Sequence, residues 1–356
     1  MMKNKIITII FLVLVIGLGG ISILKKDIEL SSFERRKLAQ IPKFDENFTS
    51  NLDEYLLDQF VFRNKLINLN SFINRKILNK IDNNDVYVVG DNIFDKTYPS
   101  NEDNCLKFSE KVNYIIENYC EDSNVYYSII PDKSYFLGRR KYLKLDYRKL
   151  YDIVTNNTEG NYIDIKNLLN IDDYYRTDIH WKQENLGKVT KQLVTTMGKT
   201  YKDISYIENK YSNFYGASYS KAGANIKPDT LKYLSNKELE NVEVKHLEYG
   251  KKDVYDVNKL ESLDAYDVFL SGASSFIEIE NKNINDNSTL IIFRDSFASS
   301  LVPLLIPYYN KIVMVDLRYI HFDYAKNIIN FENADVLFLY STLIINNSST
   351  LKVSVK

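Results

Sequence analysis

The chain has 356 residues, 45% hydrophobic and 26% charged, the composition of an ordinary folded protein with room for one large domain and an appendage. Its 46 basic and 47 acidic side chains leave a net charge of -1. Without a basic stripe interleaved with aromatics, that balance argues against nucleic acid as a partner. The 28 tyrosines against a single tryptophan suit a sugar-binding surface, but a composition drawn toward Tyr, Lys, Asn and Ile is the plainer explanation.

Lys3 and Lys5 precede an uncharged run from Ile6 to Leu24 in which only Thr8 and Ser22 are polar. At about 1.5 Å per residue the run spans about 28 Å, close to the hydrocarbon thickness of a bilayer. Either a cleaved signal peptide or a retained anchor would fit. The length of the run and the lack of a small-x-small site before Lys25 favour a retained anchor over 1–25. A single span leaves the rest of the chain on one side, expected to be the outside of the cell membrane.

Residues 26–80 read as a short helical stalk. Pro42 redirects the chain, and Phe48, Leu52, Tyr55, Leu56, Phe60 and Phe62 then recur at helical spacing. The main domain is expected over 81–356. Asp85–Gly90 reads as a strand, Asn101–Cys120 as a helix and Val125–Ile130 as a buried strand, the crossover unit of a parallel sheet. Cys105 and Cys120 share that helix, about 22 Å apart by rise. A disulfide needs Cα atoms within about 7 Å, so both are expected to stay unpaired. Pro131-Asp132-Lys133-Ser134 follows the second strand, where parallel sheets gather ligands. A helix is expected from Trp181 to about Met197. An irregular insertion, with room for hairpins, is expected at about 227–264, with His246 on its surface. Tyr266–Leu270, Leu290–Phe293, Lys311–Asp316 and Asp335–Tyr340 read as further strands, with helices after Phe297 and between the last two strands. The alternation predicts a three-layer α/β/α domain with a mostly parallel sheet.

Two stretches carry chemistry. Arg176-Thr177-Asp178-Ile179-His180-Trp181 holds one of only three histidines, an aspartate two places before it and the sole tryptophan after it. Asp178 can hold one nitrogen of His180 while the other serves as a base. Arg294-Asp295-Ser296-Phe297 lies where a strand gives way to a helix. There a serine is exposed and backbone N–H groups are free. Ser296 could also serve only as a helix cap, and a histidine beside tryptophan can be a packed core residue. No further His or Cys accompanies Asp178 and His180, so a metal site is not expected, and neither is a cofactor.

Together these residues resemble the DHHW family of Gram-positive bacteria, which is related to the SGNH-like alginate O-acetyltransferases. The resemblance runs from about residue 30 to 340. It is carried by Arg35-x-Lys37-Leu38-Ala39-Gln40-x-Pro42, by Asp58-Gln59-Phe60 with Arg63, and by Pro131-Asp132-Lys133-Ser134. Further along come the Asp178–Trp181 stretch, Phe214-Tyr215-Gly216 with Tyr219, Asp295-Ser296-Phe297 and Asp316-x-Arg318-Tyr319. The resemblance implies an SGNH-hydrolase-like fold with Asp178, His180 and Ser296 as a triad. Lys133, Tyr215, Arg318 and Trp181 are further candidates for substrate contact. Family members carry a Gly-Asn after the strand equivalent to Tyr266–Leu270. This chain has Ser271-Gly272-Ala273-Ser274, so an oxyanion hole would rest on the Ser296 N–H joined by Gly272 or Ser274. The activity implied is acetyl transfer to a polysaccharide acceptor, with a multi-pass membrane acyltransferase supplying the acetyl groups. An acetylesterase would use the same residues. A non-catalytic polysaccharide-binding or assembly subunit would lack the chemistry.

Overall fold

The computed structural model describes residues 2–31, 33–138 and 141–355; Met1 in the expected anchor, Ser32 in the expected stalk, and Arg139, Arg140 and Lys356 in the expected main domain lie outside them. Helix α1 (Met2–Leu24) includes a segment, Lys5–Leu24, long and apolar enough to cross a membrane. Helices α2 (Phe48–Asp58) and α3 (Arg63–Phe72) follow, and a wider helical turn extends α3 through Ile73–Ile77. This segment docks on the body of the protein. Ser71 is buried and donates to the Ala222 carbonyl, and Arg35 Nε donates to the Leu263 carbonyl at 2.9 Å.

Strands β1 (Val86–Val89) and β2 (Asn92–Asp95) form a separate hairpin. The expected crossover from the first of these into a parallel sheet is therefore corrected. Gly90 adopts φ +59 in the two-residue turn and folds the chain straight back, so β1 spends its hydrogen bonds on β2.

Eight strands make the central sheet. In chain order they are β3 (Asn124–Ile130), β4 (Asn161–Tyr162), β7 (Val242–His246), β8 (Gly250–Lys252), β9 (Phe276–Asn281), β10 (Thr289–Arg294), β11 (Lys311–Val315) and β12 (Asp335–Ser341). Strands β5 (Ile207–Phe214) and β6 (Asp229–Ser235) pair outside it. The spatial order is β8-β7-β9-β11-β10-β12-β3-β4. From β11 to β4 all pairings are parallel, and β9, β7 and β8 extend the sheet antiparallel. Segment 227–264 thus supplies β6 and two sheet strands.

Alternate residues of the parallel strands serve opposite faces. Leu290, Ile292, Leu337 and Leu339 join one core with α6 (Gly187–Thr196) and α7 (Ala298–Leu305). Ile291, Phe293, Val336 and Phe338 join the other with α4 (Glu102–Tyr119) and α5 (Tyr147–Asn157). Both faces are covered, which is why these strands read as continuous apolar runs. The result is the expected three-layer α/β/α fold. Between β11 and β12 the described helix is only Phe322–Ala325.

The Tyr266–Leu270 strand is also corrected. Ala265–Val268 is a short 3-10 turn, capped where the Asp264 carboxylate accepts from the Tyr266 N–H. Leu270, Ser271 and Gly272 then take left-handed φ angles of 53, 56 and 84, which no strand can hold. Cys105 and Cys120 are buried free thiols.

His246 is a third correction: at the end of β7 it is buried, and neither ring nitrogen has a hydrogen-bond partner. Burial draws its pKa down from 6.5 to about 4. As pH falls through that interval the unfolded chain takes up a proton that the folded chain refuses, so stability falls with it. A His246→Leu variant should show a flatter melting temperature between pH 6.5 and about 4; an unchanged slope in a thermal-melt series would contradict this.

Candidate active site

The loop at 175–181 is held from several directions before it reaches the chemistry. The Asp229 carboxylate accepts from the N–H groups of Arg176 (3.0 Å) and Thr177 (2.9 Å) and from the Thr177 hydroxyl (2.7 Å). From below, Lys133 Nζ donates to the carbonyls of Tyr175 (2.6 Å) and Arg176 (2.7 Å). Lys133 is therefore no pocket wall: it is buried and braces the loop. Burial lowers its pKa to about 7, against the pull of Asp229, Asp178 and Asp95. On the far side, Gly216 presses on Asp178. A Cβ there would sit 2.2 Å from the Asp178 Cβ, so only glycine fits.

Asp178 Oδ1 accepts from the His180 N–H at 2.9 Å and meets His180 Nδ1 at 2.6 Å. Its Oδ2 accepts from the Ala217 N–H at 2.7 Å and from Arg35 Nη1 at 3.5 Å. Burial opposes a charge here, yet His180, Arg35 and the Ala217 N–H prevail and hold the carboxyl below the ordinary range. Asp178 stays ionised. The other face of the imidazole is fixed by Tyr266, stacked at 4.0 Å and 9° between planes.

The serine arrives from the sheet. Strand β10 ends at Arg294 and α7 begins at Ala298, with Ser296 on the corner between them. Asp295 shapes that corner by accepting from the N–H groups of Phe297 (3.0 Å) and Ser341 (2.8 Å). The Ser296 side chain does not cap the helix. Its Oγ lies 2.8 Å from His180 Nε2. The structure thus brings Asp178, His180 and Ser296 into one hydrogen-bonded chain, with His180 and Ser296 separated by 116 positions of sequence.

His180 and Ser296 open on a cavity of about 190 Å³, lined also by Tyr266, Asp267, Gly272, Arg294, Arg318 and Tyr319, with Asp178 buried behind the imidazole. That is about six waters' worth of space, enough for a small acyl group. Ser296's own N–H has no protein acceptor among the described hydrogen bonds. Arg294 is buried beside it, with Nε unpaired and Asp316 no closer than 3.6 Å. Arg318 forks onto Asp316 at 2.8 and 2.6 Å while lining the cavity.

The remaining candidates fall elsewhere. The Gly272 N–H donates to the Phe269 carbonyl, which closes the turn and removes it from an oxyanion hole. Ser274 is drawn away by Glu248, which accepts its hydroxyl at 2.6 Å. Tyr215 packs on Tyr219, ring centroids 4.5 Å apart and tilted by 53°, and lies outside the cavity lining; its neighbour Gly216 does the positioning. Trp181 is buried and touches no open space. Its indole N–H donates to the Phe297 carbonyl (2.9 Å) and Ser300 (3.0 Å), which ties the histidine loop to the serine helix. Sequence reasoning assigned no role to Arg35, Tyr266 or Arg294. Arg35 lay in a shared motif, but nothing local to it points to a carboxylate 143 residues away. Among the described residues, no group of three His, Cys, Asp or Glu side chains could hold a metal ion.

A parallel sheet carrying a serine at a strand-to-helix corner, with an Asp-x-His loop closing on it, defines an SGNH-like α/β protein. The DHHW protein family model matches residues 79–315, and the chain belongs to that family. Comparison with curated proteins gave no match. Solved structures share the fold, among them the following two. A DHHW family protein from Eubacterium siraeum is 20% identical with a TM-score of 0.61, covering 76% of this chain and 95% of its own. Bacillus cereus PatB1, solved with a sulfonyl adduct, is 17% identical with a TM-score of 0.61, covering 76% of this chain and all of its own. The O-acetyltransferase domain of Pseudomonas putida AlgJ, at 11% identity and a TM-score of 0.40 over 73% of this chain and 92% of its own, is too distant to bear on the site.

Two outcomes are expected. Gly216→Ala should displace Asp178 and cut kcat about 100-fold with little change in KM; unchanged turnover would remove the close packing from the account. Arg35→Gln should move the acid limb of the kcat/KM profile to higher pH. Losing that positive charge makes protonation at the Asp178–His180 pair easier. An unmoved limb would mean that Arg35 serves only to dock the N-terminal segment.

Proposed function

We propose that this chain is a membrane-anchored, extracytoplasmic O-acetyltransferase that loads an acetyl group on Ser296 and passes it to a polysaccharide hydroxyl. The observation that carries the proposal is the unbroken chain from Asp178 through His180 to Ser296, at 2.6 and 2.8 Å, opening on a small cavity. In the first half-reaction His180 Nε2 takes the Ser296 proton as Oγ attacks the acetyl carbonyl. The oxyanion forms beside the Ser296 N–H, with the positive charge of Arg294 and Arg318 on the same cavity wall. Collapse expels the donor's alcohol or thiol, which takes the proton back from His180. In the second half the acceptor hydroxyl gives its proton to His180 and attacks the acetyl-serine. Ser296 leaves with that proton and the site is restored. Asp178 stabilises the imidazolium in both halves.

The cavity has room for an acetyl group, and half-exposed Tyr319 at its edge offers a ring face to a sugar. PatB1, with the same fold, has been solved carrying a sulfonyl adduct; activated hydroxyls attack sulfonyl electrophiles and displace their leaving group, and the geometry around Ser296 favours the same reactivity here. A span on α1 would place the domain beside a multi-pass membrane acyltransferase able to supply acetyl groups across the bilayer. With an activated acetyl ester and a sugar oligomer, the wild type should yield acetylated sugar, and Ser296→Ala should lose about 10³-fold or more. Acetyl released only to water would make the chain an esterase. Equal activity in Ser296→Ala would contradict the mechanism.

A further inference from the structure

Helix α3 is built the wrong way round for water. The side that meets the protein body presents buried Ser71, packed so closely on Gly223 that a Cβ there would lie 2.8 Å from Ser71's own. The large apolar side chains point outward instead. Phe62, Leu66 and Leu69 recur at spacings of four and three on one face, 54%, 45% and 53% exposed, and Phe72 extends the patch at 51%. A row of this kind on a helix marks a surface that something covers.

Its position says what. The Val61 N–H, one residue before Phe62, donates to Ser22 Oγ at 2.9 Å. Ser22 lies within Lys5–Leu24, the segment able to cross a membrane. Tyr55 and Gln59 tie the preceding helix to the same end of the span, through Asp27 and Ile28. The exposed row of α3 therefore starts level with the last turn of the span, where hydrocarbon gives way to headgroups. Lys25 and Lys26 follow the span, and Lys65, Lys76 and Lys80 are exposed along α3 and its extension, as befits a helix lying among phosphate headgroups.

We infer that the outer face of α3, Phe62 to Phe72, is a lipid-docking surface that rests in the headgroup layer beside the span. The inference rests on α1 being a membrane span, not on the transfer chemistry. It has a consequence for the site. Arg35, on the short segment between span and α2, reaches Asp178, so a body seated on the bilayer through α3 holds its Asp178–His180 pair close to the membrane, where a membrane-borne donor would arrive.

The test uses the full chain reconstituted in vesicles of mixed anionic and zwitterionic phospholipid, some carrying a nitroxide near the headgroup. Single cysteines at Leu66→Cys and Leu69→Cys carry a fluorophore, with Ile10→Cys as the span reference and Asn156→Cys, exposed on α5, as the distant control; the native thiols are buried. Labels seated about 5–10 Å into the boundary should be quenched about threefold or more over the control. Quenching at Ile10→Cys with none at the α3 sites would overturn the inference, whether those labels read as water-exposed or as shielded by a second protein. No quenching at Ile10→Cys would overturn the span reading and this inference with it.

Discussion

The imidazole of His180 is the point on which the site depends. It is gripped at one nitrogen by an ionised, buried Asp178, pressed by Tyr266 on its ring face, and offered to Ser296 by the other nitrogen. None of those partners is near it in the fold by chance. Lys133 and Asp229 fix the loop that carries it, Gly216 lets the neighbouring chain close on Asp178, and Trp181 couples the loop to the helix that follows Ser296. The sheet contributes only a rigid frame: the strand-to-helix corner after β10 delivers the serine, and Asp295 locks that corner to the end of β12.

The charge arrangement is uneven in a useful way. Asp178 is kept ionised by contacts that outweigh its burial. Arg294 is buried with loose partners: its Nε is unpaired and the Asp316 carboxylate lies 3.6 Å from Nη1. A loosely paired buried cation beside a nucleophile can strengthen its interactions when negative charge develops there.

Much of this was legible in the sequence because the informative residues are rare or unbroken. Four of the parallel strands read as continuous apolar runs, since both of their faces are covered. One tryptophan and three histidines in 356 residues made the Asp178–Trp181 stretch stand out. What stayed hidden was non-local. Lys133 read as a candidate for substrate contact because its true acceptors, the Tyr175 and Arg176 carbonyls, lie more than 40 residues on. His246 looked exposed because strand pairing with β9, which buries it, leaves no mark on its neighbours. The 266–270 run looked like a strand because its apolar pattern says nothing of the left-handed angles that follow. Arg35 reached its carboxylate only through the docking of the N-terminal segment.

The most direct test of the central claim is a rapid-quench mass measurement of the peptide containing Ser296 after mixing the full chain with an activated acetyl ester. The account predicts an acetyl group on Ser296 that forms within a turnover and disappears when a sugar oligomer is added. An unmodified Ser296, or an acetyl group that the sugar leaves in place, would contradict it.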